Sequence, residues 1–237
     1  MAKPTETAPF EPNVAETAGG FTVGAGKRRI STAPGVPLVL PTRSLAEAIR
    51  DEWKAAGPRT RLGQLRLGNL AAATAAAMVD RAHIEDTLLS YAETDLVCYW
   101  SGDEAPEPLR GRQASAWQPM LDWARTTLGA DLKVARGIVP MRQEAATLAA
   151  LRTAVTSLSP AELIALRMAS AVTGSLVIGL GLVRGAWDAD RAHAAAVVDE
   201  RFQMERWGID LEAEVALEAK RRDLADAARF LRLSREA

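Results

Sequence analysis

The side chains best equipped for chemistry gather late in the chain, in the run Asp199-Glu200-Arg201-Phe202-Gln203-Met204-Glu205-Arg206-Trp207-Gly208. Glu200 and Glu205 are two carboxylates that a hydrolase could use as acid and base. Nothing else in the chain supplies a nucleophile, so that reading stands as the minor one. Recognition is the other chemistry such a run can do. Glu200 and Gln203 lie one helical turn apart beside Trp207, and protein contacts are commonly built from an aromatic anchor within a polar rim. A solvated helix end carrying Glu and Arg has the same composition.

Other reactive residue types are sparse. His83 and His193 are far apart, and neither has a partner at metal-ligand spacing. We expect no metal, with His83 at a helix start and His193 on a solvated face. Cys98 sits between Val97 and Tyr99, as a buried inert thiol would; a reactive cysteine needs an electropositive, accessible setting. Gly179-Leu180-Gly181-Leu182-Val183-Arg184-Gly185 misses the dinucleotide fingerprint and follows no strand. Helix packing is the better account of these glycines, and no cofactor or nucleotide is expected.

The elements that must position these residues are mostly helical. Residues 90–124 hold Trp100, Trp117 and Trp123, both tyrosines and the cysteine. They read as two helices joined by a Pro-containing turn, with Ile84, Leu88, Tyr91, Asp95 and Cys98 at helical spacing. Trp117 belongs in the core, whereas Trp100, at a helix end, is expected to be partly exposed. Pro106 and Pro108 suit the start of the second helix. Further on, Ser159-Pro160-Ala161-Glu162 is the clearest helix start. That helix is read through to Val183, with Gly174, Gly179 and Gly181 inside it. The next runs from Trp187 to Trp207 with Gly208 as its stop, and the last from Leu211 to Leu233. In the last helix Val215, Leu224, Ala228 and Leu231 face the core.

The N-terminal part differs. Residues 1–18 read as a flexible tail. Residues 19–81 read as a small α/β domain: a meander of Phe21–Val23, Lys27–Ala33 and Leu38–Leu40, then a helix. Ser44 and Glu47 have capping-box spacing, Leu45, Ile49 and Trp53 share one face, and Gly57-Pro58 ends the helix. Residues 82–237 form an all-α domain. The fold class is thus α+β: a small N-terminal two-layer α/β domain (antiparallel meander plus helix), followed by a larger all-α orthogonal helical domain.

Composition sets bounds. Hydrophobic residues make up 48%, charged residues 25% and the formal net charge is −1, which fits a globular chain and gives no pull toward nucleic acid or anionic lipid. One cysteine excludes an internal disulfide. No secretory h-region, Arg-rich presequence or membrane-spanning run is read. The expectation is a bacterial cytoplasmic protein, or a mature form without its targeting segment.

Three phrases carry a family resemblance: GGFTV…PLVLPTRSLAEAIRDEW, YAETDLVCYW followed by RQASAWQPMLDWA, and ERFQMERWG. Together they resemble the ATP synthase assembly chaperones often called ATP twelve. The chain departs from that pattern at Leu70-Ala71-Ala72-Ala73-Thr74, where an Asn is expected, and lacks a basic-aromatic phrase before Gly19. The resemblance implies a non-enzymatic chaperone that binds the unassembled alpha subunit of the F1 sector. It would shield that subunit's interface until a beta subunit replaces it. It implies the bacterial cytoplasm, or the mitochondrial matrix for eukaryotic relatives. It points to Glu200, Gln203, Glu205 and Trp207, with Trp100, Gln113, Trp117, Asp122 and Trp123, as partner-binding or fold-maintaining residues. A helical adaptor for another client is the alternative, and a small hydrolase using Glu200 and Glu205 the third reading.

Overall fold

A computed structural model describes residues 10–137 and 141–236. The chain divides into two compact units, and the first runs to Ala76 and takes in the C-terminal segment from Arg232.

In the first unit, strands β1 (Asn13–Thr17), β2 (Gly20–Ala25) and β3 (Arg28–Arg29) form an antiparallel sheet in that order. Strands β4 (Ser31–Ala33) and β5 (Val36–Pro37) make a second, smaller pair. The expectation of a loose tail through residue 18 fails at β1, whose Val14 lies opposite Val23; residues 1–9 lie outside the described residues. Helix α1 (Arg43–Ala56) packs on β1 and β2. Its buried face is Leu45, Ile49 and Trp53, the spacing that a helix on a sheet requires. The capping box expected at Ser44 is absent, and Thr42 is the cap. Its hydroxyl accepts from Leu45 N at 3.1 Å and donates to Leu233 O at 2.6 Å. One buried hydroxyl thus satisfies a helix start and holds the returning C-terminal segment. Glu52 of α1 accepts the Leu67 and Gly68 amides at the start of α2 (Arg66–Ala77).

The second unit is helical: α3 (Arg81–Ser90), α4 (Glu107–Trp123), α5 (Ala145–Thr156), α6 (Pro160–Thr173), α7 (Leu176–Val183), α8 (Ala189–Ala196), α9 (Val198–Trp207) and α10 (Leu211–Arg235), the last ending in the first unit. Strands β6 (Tyr99–Trp100) and β7 (Ala135–Arg136) pair in parallel, so the part expected to be all-α contains a short two-stranded sheet, with β6 in the stretch expected as helix. Among the described residues no helix is long and apolar enough to cross a membrane.

Several expected helices are broken, each for a local reason. The chain leaves α3 at Tyr91 and passes through two 3-10 turns to β6, so Asp95 and Cys98 lie on no helix. The helix expected through Val183 stops at Gly174, whose φ of 69° makes it the left-handed cap of α6. Ser175 then starts α7, its hydroxyl accepting from Ile178 N. The capping box at Ser159 and Glu162 is present. Gly179 and Gly181 are packing positions: a Cβ on Gly179 would meet Ser170 Oγ at 2.7 Å, and one on Gly181 would meet the Trp187 ring at 1.8 Å. The helix from Trp187 to Trp207 divides at Val197.

The centre of this unit is Asp95, which is fully buried. Its carboxylate accepts from Val97 N at 3.2 Å and Val177 N at 3.0 Å, and hydrogen-bonds the Ser175 side chain. It therefore joins the loop before β6 to the amide-rich start of α7, where negative charge is favoured. Burial outweighs these donors and pushes the carboxyl up to about 6.

Two outcomes follow. Asp95→Ala leaves the Val97 and Val177 amides buried without an acceptor and should lower stability by about 3 kcal/mol or more, measured by urea unfolding. The folded state keeps its proton on Asp95 above the ordinary value of 3.8, so the wild type should lose stability as pH rises from about 4 to about 6, by about 3 kcal/mol. Asp95→Asn should abolish that slope; a matching slope in the variant would refute the assignment.

Candidate functional site

The run from Asp199 to Gly208 forms α9, which is packed against α4. Gln113 of α4 is the buried link. Its Oε1 accepts from Ser101 N at 2.8 Å, and its Nε2 donates to Asp199 Oδ1 at 2.8 Å. Burial raises the Asp199 carboxyl above the usual range, Gln113 opposes that, and neighbouring Glu200 adds to it. Trp117 of α4 is buried and its indole N–H donates to Ala195 O at 2.8 Å. Trp100, expected to be partly exposed, is only 6% exposed. It packs edge-on against Trp117 and donates to Val97 O; folding back onto its own loop puts it inside. Trp123 is half-buried and meets Trp187 edge-on, while Asp122 accepts from Gln118 of its own helix and from Arg125 in the turn just past it.

The surface side of α9 is held by ion pairs. Glu200 pairs with Lys220 at 3.1 Å and Arg201 with Glu214 at 2.8 Å, both joining α9 to α10. Glu205 pairs with Arg112 at 2.7 Å, and that guanidinium also lies over the Phe202 ring. Hydrogen bonding from Arg112 holds the Glu205 carboxyl below its ordinary range, the opposite of what a general acid needs. Gln203 is exposed.

Between the helices the chain turns at Gly208, with φ 99°. Asp210 caps α10 by accepting from Glu212 N at 2.9 Å. Around this turn Trp207 is 73% exposed, Ile209 72%, Leu211 78% and Val215 66%. Of the residues expected in the core of this helix, Leu224 and Leu231 are buried, Ala228 is only partly so beside a buried Ala227, and Val215 is exposed, with Leu217 buried instead, so the first turns of α10 present apolar side chains to solvent. Four large apolar residues within nine positions of one exposed turn make a patch of the kind that marks protein contacts.

The histidine reading also changes. His193 is buried with Nε2 3.0 Å from Leu217 O, and burial lowers its pKa. It lines a cleft of about 460 Å³ together with Arg112, Arg201, Glu218 and Arg221, and neither Glu200 nor Glu205 lines it. Cys98 is buried, and burial with nearby Asp95 pushes its thiol up. Among the described residues no group of three His, Cys, Asp or Glu is placed to hold a metal ion.

Comparison with known proteins bears on the whole chain. The crystal structure of Atp12 from Paracoccus denitrificans matches with 36% identity over 95% of this chain and 96% of that one, at a TM-score of 0.87. The chain belongs to the ATP12 chaperone family. The family's model, described as ATP12 chaperone protein, matches residues 9–125. A single-residue variant of the Paracoccus protein gives the same match. A candidate chaperone from Agrobacterium tumefaciens matches with 31% identity over 93% of this chain and 82% of that one, at a TM-score of 0.83. ATP12 membership accords with the resemblance carried by the three phrases.

Reading the residues alone missed the Gln113–Asp199 link and the Ile209–Leu211–Val215 exposure. The first leaves no trace, since the partners are distant in sequence. The second had a signal: Val215 lies nine residues before Leu224, on the side of the helix opposite the apolar face that begins at Leu217.

Gln113→Ala should lower stability by about 2 kcal/mol, because it strands Ser101 N and removes the donor that opposes the rise at Asp199. Arg112→Ala, which breaks an exposed ion pair and a ring contact at the surface, should lower stability by much less than Gln113→Ala does. Differential scanning calorimetry of the two variants checks both statements.

Proposed function

We propose that this ATP12-family chain is an assembly chaperone for the F1 sector of ATP synthase. It binds the unassembled alpha subunit and covers its subunit interface until a beta subunit takes its place. The observation that carries the reading is the exposed apolar turn of Trp207, Ile209, Leu211 and Val215, beside a helix that ion pairs and the half-buried Gln113–Asp199 hydrogen bond hold in place.

The physical logic is one of matched surfaces. A subunit of an obligate oligomer shows a large apolar interface before it assembles, and that interface invites aggregation. A holder must cover part of it and then leave. A compact patch with one large aromatic anchor suits both demands, because a few residues supply most of the energy at an interface. Gln203, Arg206 and Glu212, exposed beside the patch, form the polar rim. Glu200 and Glu205 set the pose of α9 through Lys220 and Arg112. Trp100, Gln113, Trp117 and Trp123 support the mount from within. Asp122 stays among the partner-binding candidates. Binding and release in this scheme require no nucleotide. The work is done where the alpha subunit is made, in the cytoplasm of a bacterium.

The test is capture of client. Tagged chain mixed with freshly synthesised alpha or beta subunit should retain alpha selectively. Trp207→Ala should weaken retention about thirtyfold, the loss expected of a central aromatic contact, with the variant's circular dichroism unchanged. Equal capture of beta, or full retention by the folded variant, would overturn the proposal.

A further inference from the structure

The basic residues from Lys27 to Arg61 fall into two groups. Arg43, Arg50 and Lys54 face carboxylates: Glu16 at 3.3 Å, Asp51 at 2.8 Å and Glu11 at 2.9 Å. Lys27, Arg28, Arg29, Arg59 and Arg61 are exposed, and among the described residues none has a carboxylate at ion-pair distance. They converge from two places, the turn joining β2 to β3 and the loop after α1.

Arg28, Arg29 and Arg61 line a cleft of about 220 Å³ whose apolar walls include Trp53, Leu62 and Leu65. The guanidinium of Arg28 lies 5.1 Å from the centre of the Trp53 ring and donates to Pro58 O and Thr60 O. Arg29 donates to Gly26 O at 3.0 Å. Carbonyl partners fix these guanidinium groups without cancelling their charge. The Arg28 and Arg29 forks are therefore oriented in advance, which lowers the entropic cost of binding, and a guanidinium fork is matched to a carboxylate.

We propose that this cleft docks an acidic segment of a partner protein, one carrying Asp or Glu next to an apolar side chain. Carboxylates would meet Arg29 and Arg61, and the aliphatic group would lie against Leu62, which is only partly buried. The apolar walls and the net charge of −1 for the whole chain favour a peptide over a nucleic-acid backbone, which calls for a broad basic face. A lipid headgroup layer likewise calls for a flat basic surface rather than a cleft. This site lies in the first unit and does not depend on the α9–α10 reading.

Fluorescence anisotropy with the full chain tests it. The probe is a labelled peptide alternating Glu and Leu, with a Lys-for-Glu copy as control. The acidic peptide should bind, more weakly as salt rises, and the control should not. Arg29→Glu combined with Arg61→Glu should weaken binding about tenfold or more without moving the melting temperature. Arg61→Gln alone gives a milder version should the double variant lose its fold. Three results would each overturn the proposal: no binding of the acidic peptide at low salt, equal binding by the folded variants, or stronger binding of phosphatidylserine vesicles or single-stranded RNA through the same arginines.

Discussion

One buried carboxylate organises the helical unit. Asp95 receives the amides of Val97 and Val177 and the side chain of Ser175, while Leu96 N donates to Gly174 O beside it. This pins a non-helical loop to the junction where α6 stops and α7 begins. Helix α7 is entirely buried, so its first amides have no access to water and need protein acceptors. Without Asp95 the Val97 and Val177 amides would lose their acceptor at the junction that leads into the close glycine contacts with Ser170 and Trp187. The charge is costly to bury, as its raised pKa records. Such a cost is tolerable where removing the group would leave several donors unsatisfied.

From that centre the packing leads outward to the surface of α9. Trp187, against Gly181, donates to Ile178 O and meets Trp123 of α4. Helix α4 carries Trp117, bonded to α8 through Ala195 O, and Gln113, bonded to α9 through Asp199. These indole and amide bonds are specific interior contacts. The outer ones, Arg112–Glu205, Arg201–Glu214 and Lys220–Glu200, are exposed pairs that contribute orientation more than stability. The result is a firm mount carrying Trp207 and its apolar neighbours in water.

Much of this was legible in the residues. The division into a small strand-containing part and a larger helical part, the buried face of α1, the cap at Ser159, the stop at Gly208 and the packing role of Gly179 and Gly181 all follow from local spacing. The errors share a cause. Periodicity carried helices through Tyr91–Cys98, Gly174 and Val197, because apolar residues continue there while the deciding groups act from afar or through backbone conformation. Thr42 displaced Ser44 as a cap because Leu233, far off in the chain, accepts from its hydroxyl. Trp100 and His193 were placed outside because their partners, Val97 O and Leu217 O, are backbone atoms with no sequence signature. At the candidate site the polar residues of α9 were legible as types, and the exposure of Val215 was legible in its spacing, half a turn away from Leu217 and Leu224, although its apolar type pointed to the core.

The account turns on whether that turn is where a client sits. Hydrogen–deuterium exchange of the chain, free and bound to purified alpha subunit, measures this directly. Slower exchange across residues 203–215 in the complex, with the amides of Val97 and Val177 unchanged, is the expected result. Unaltered exchange at 203–215 in a saturated complex, with protection elsewhere, would contradict it.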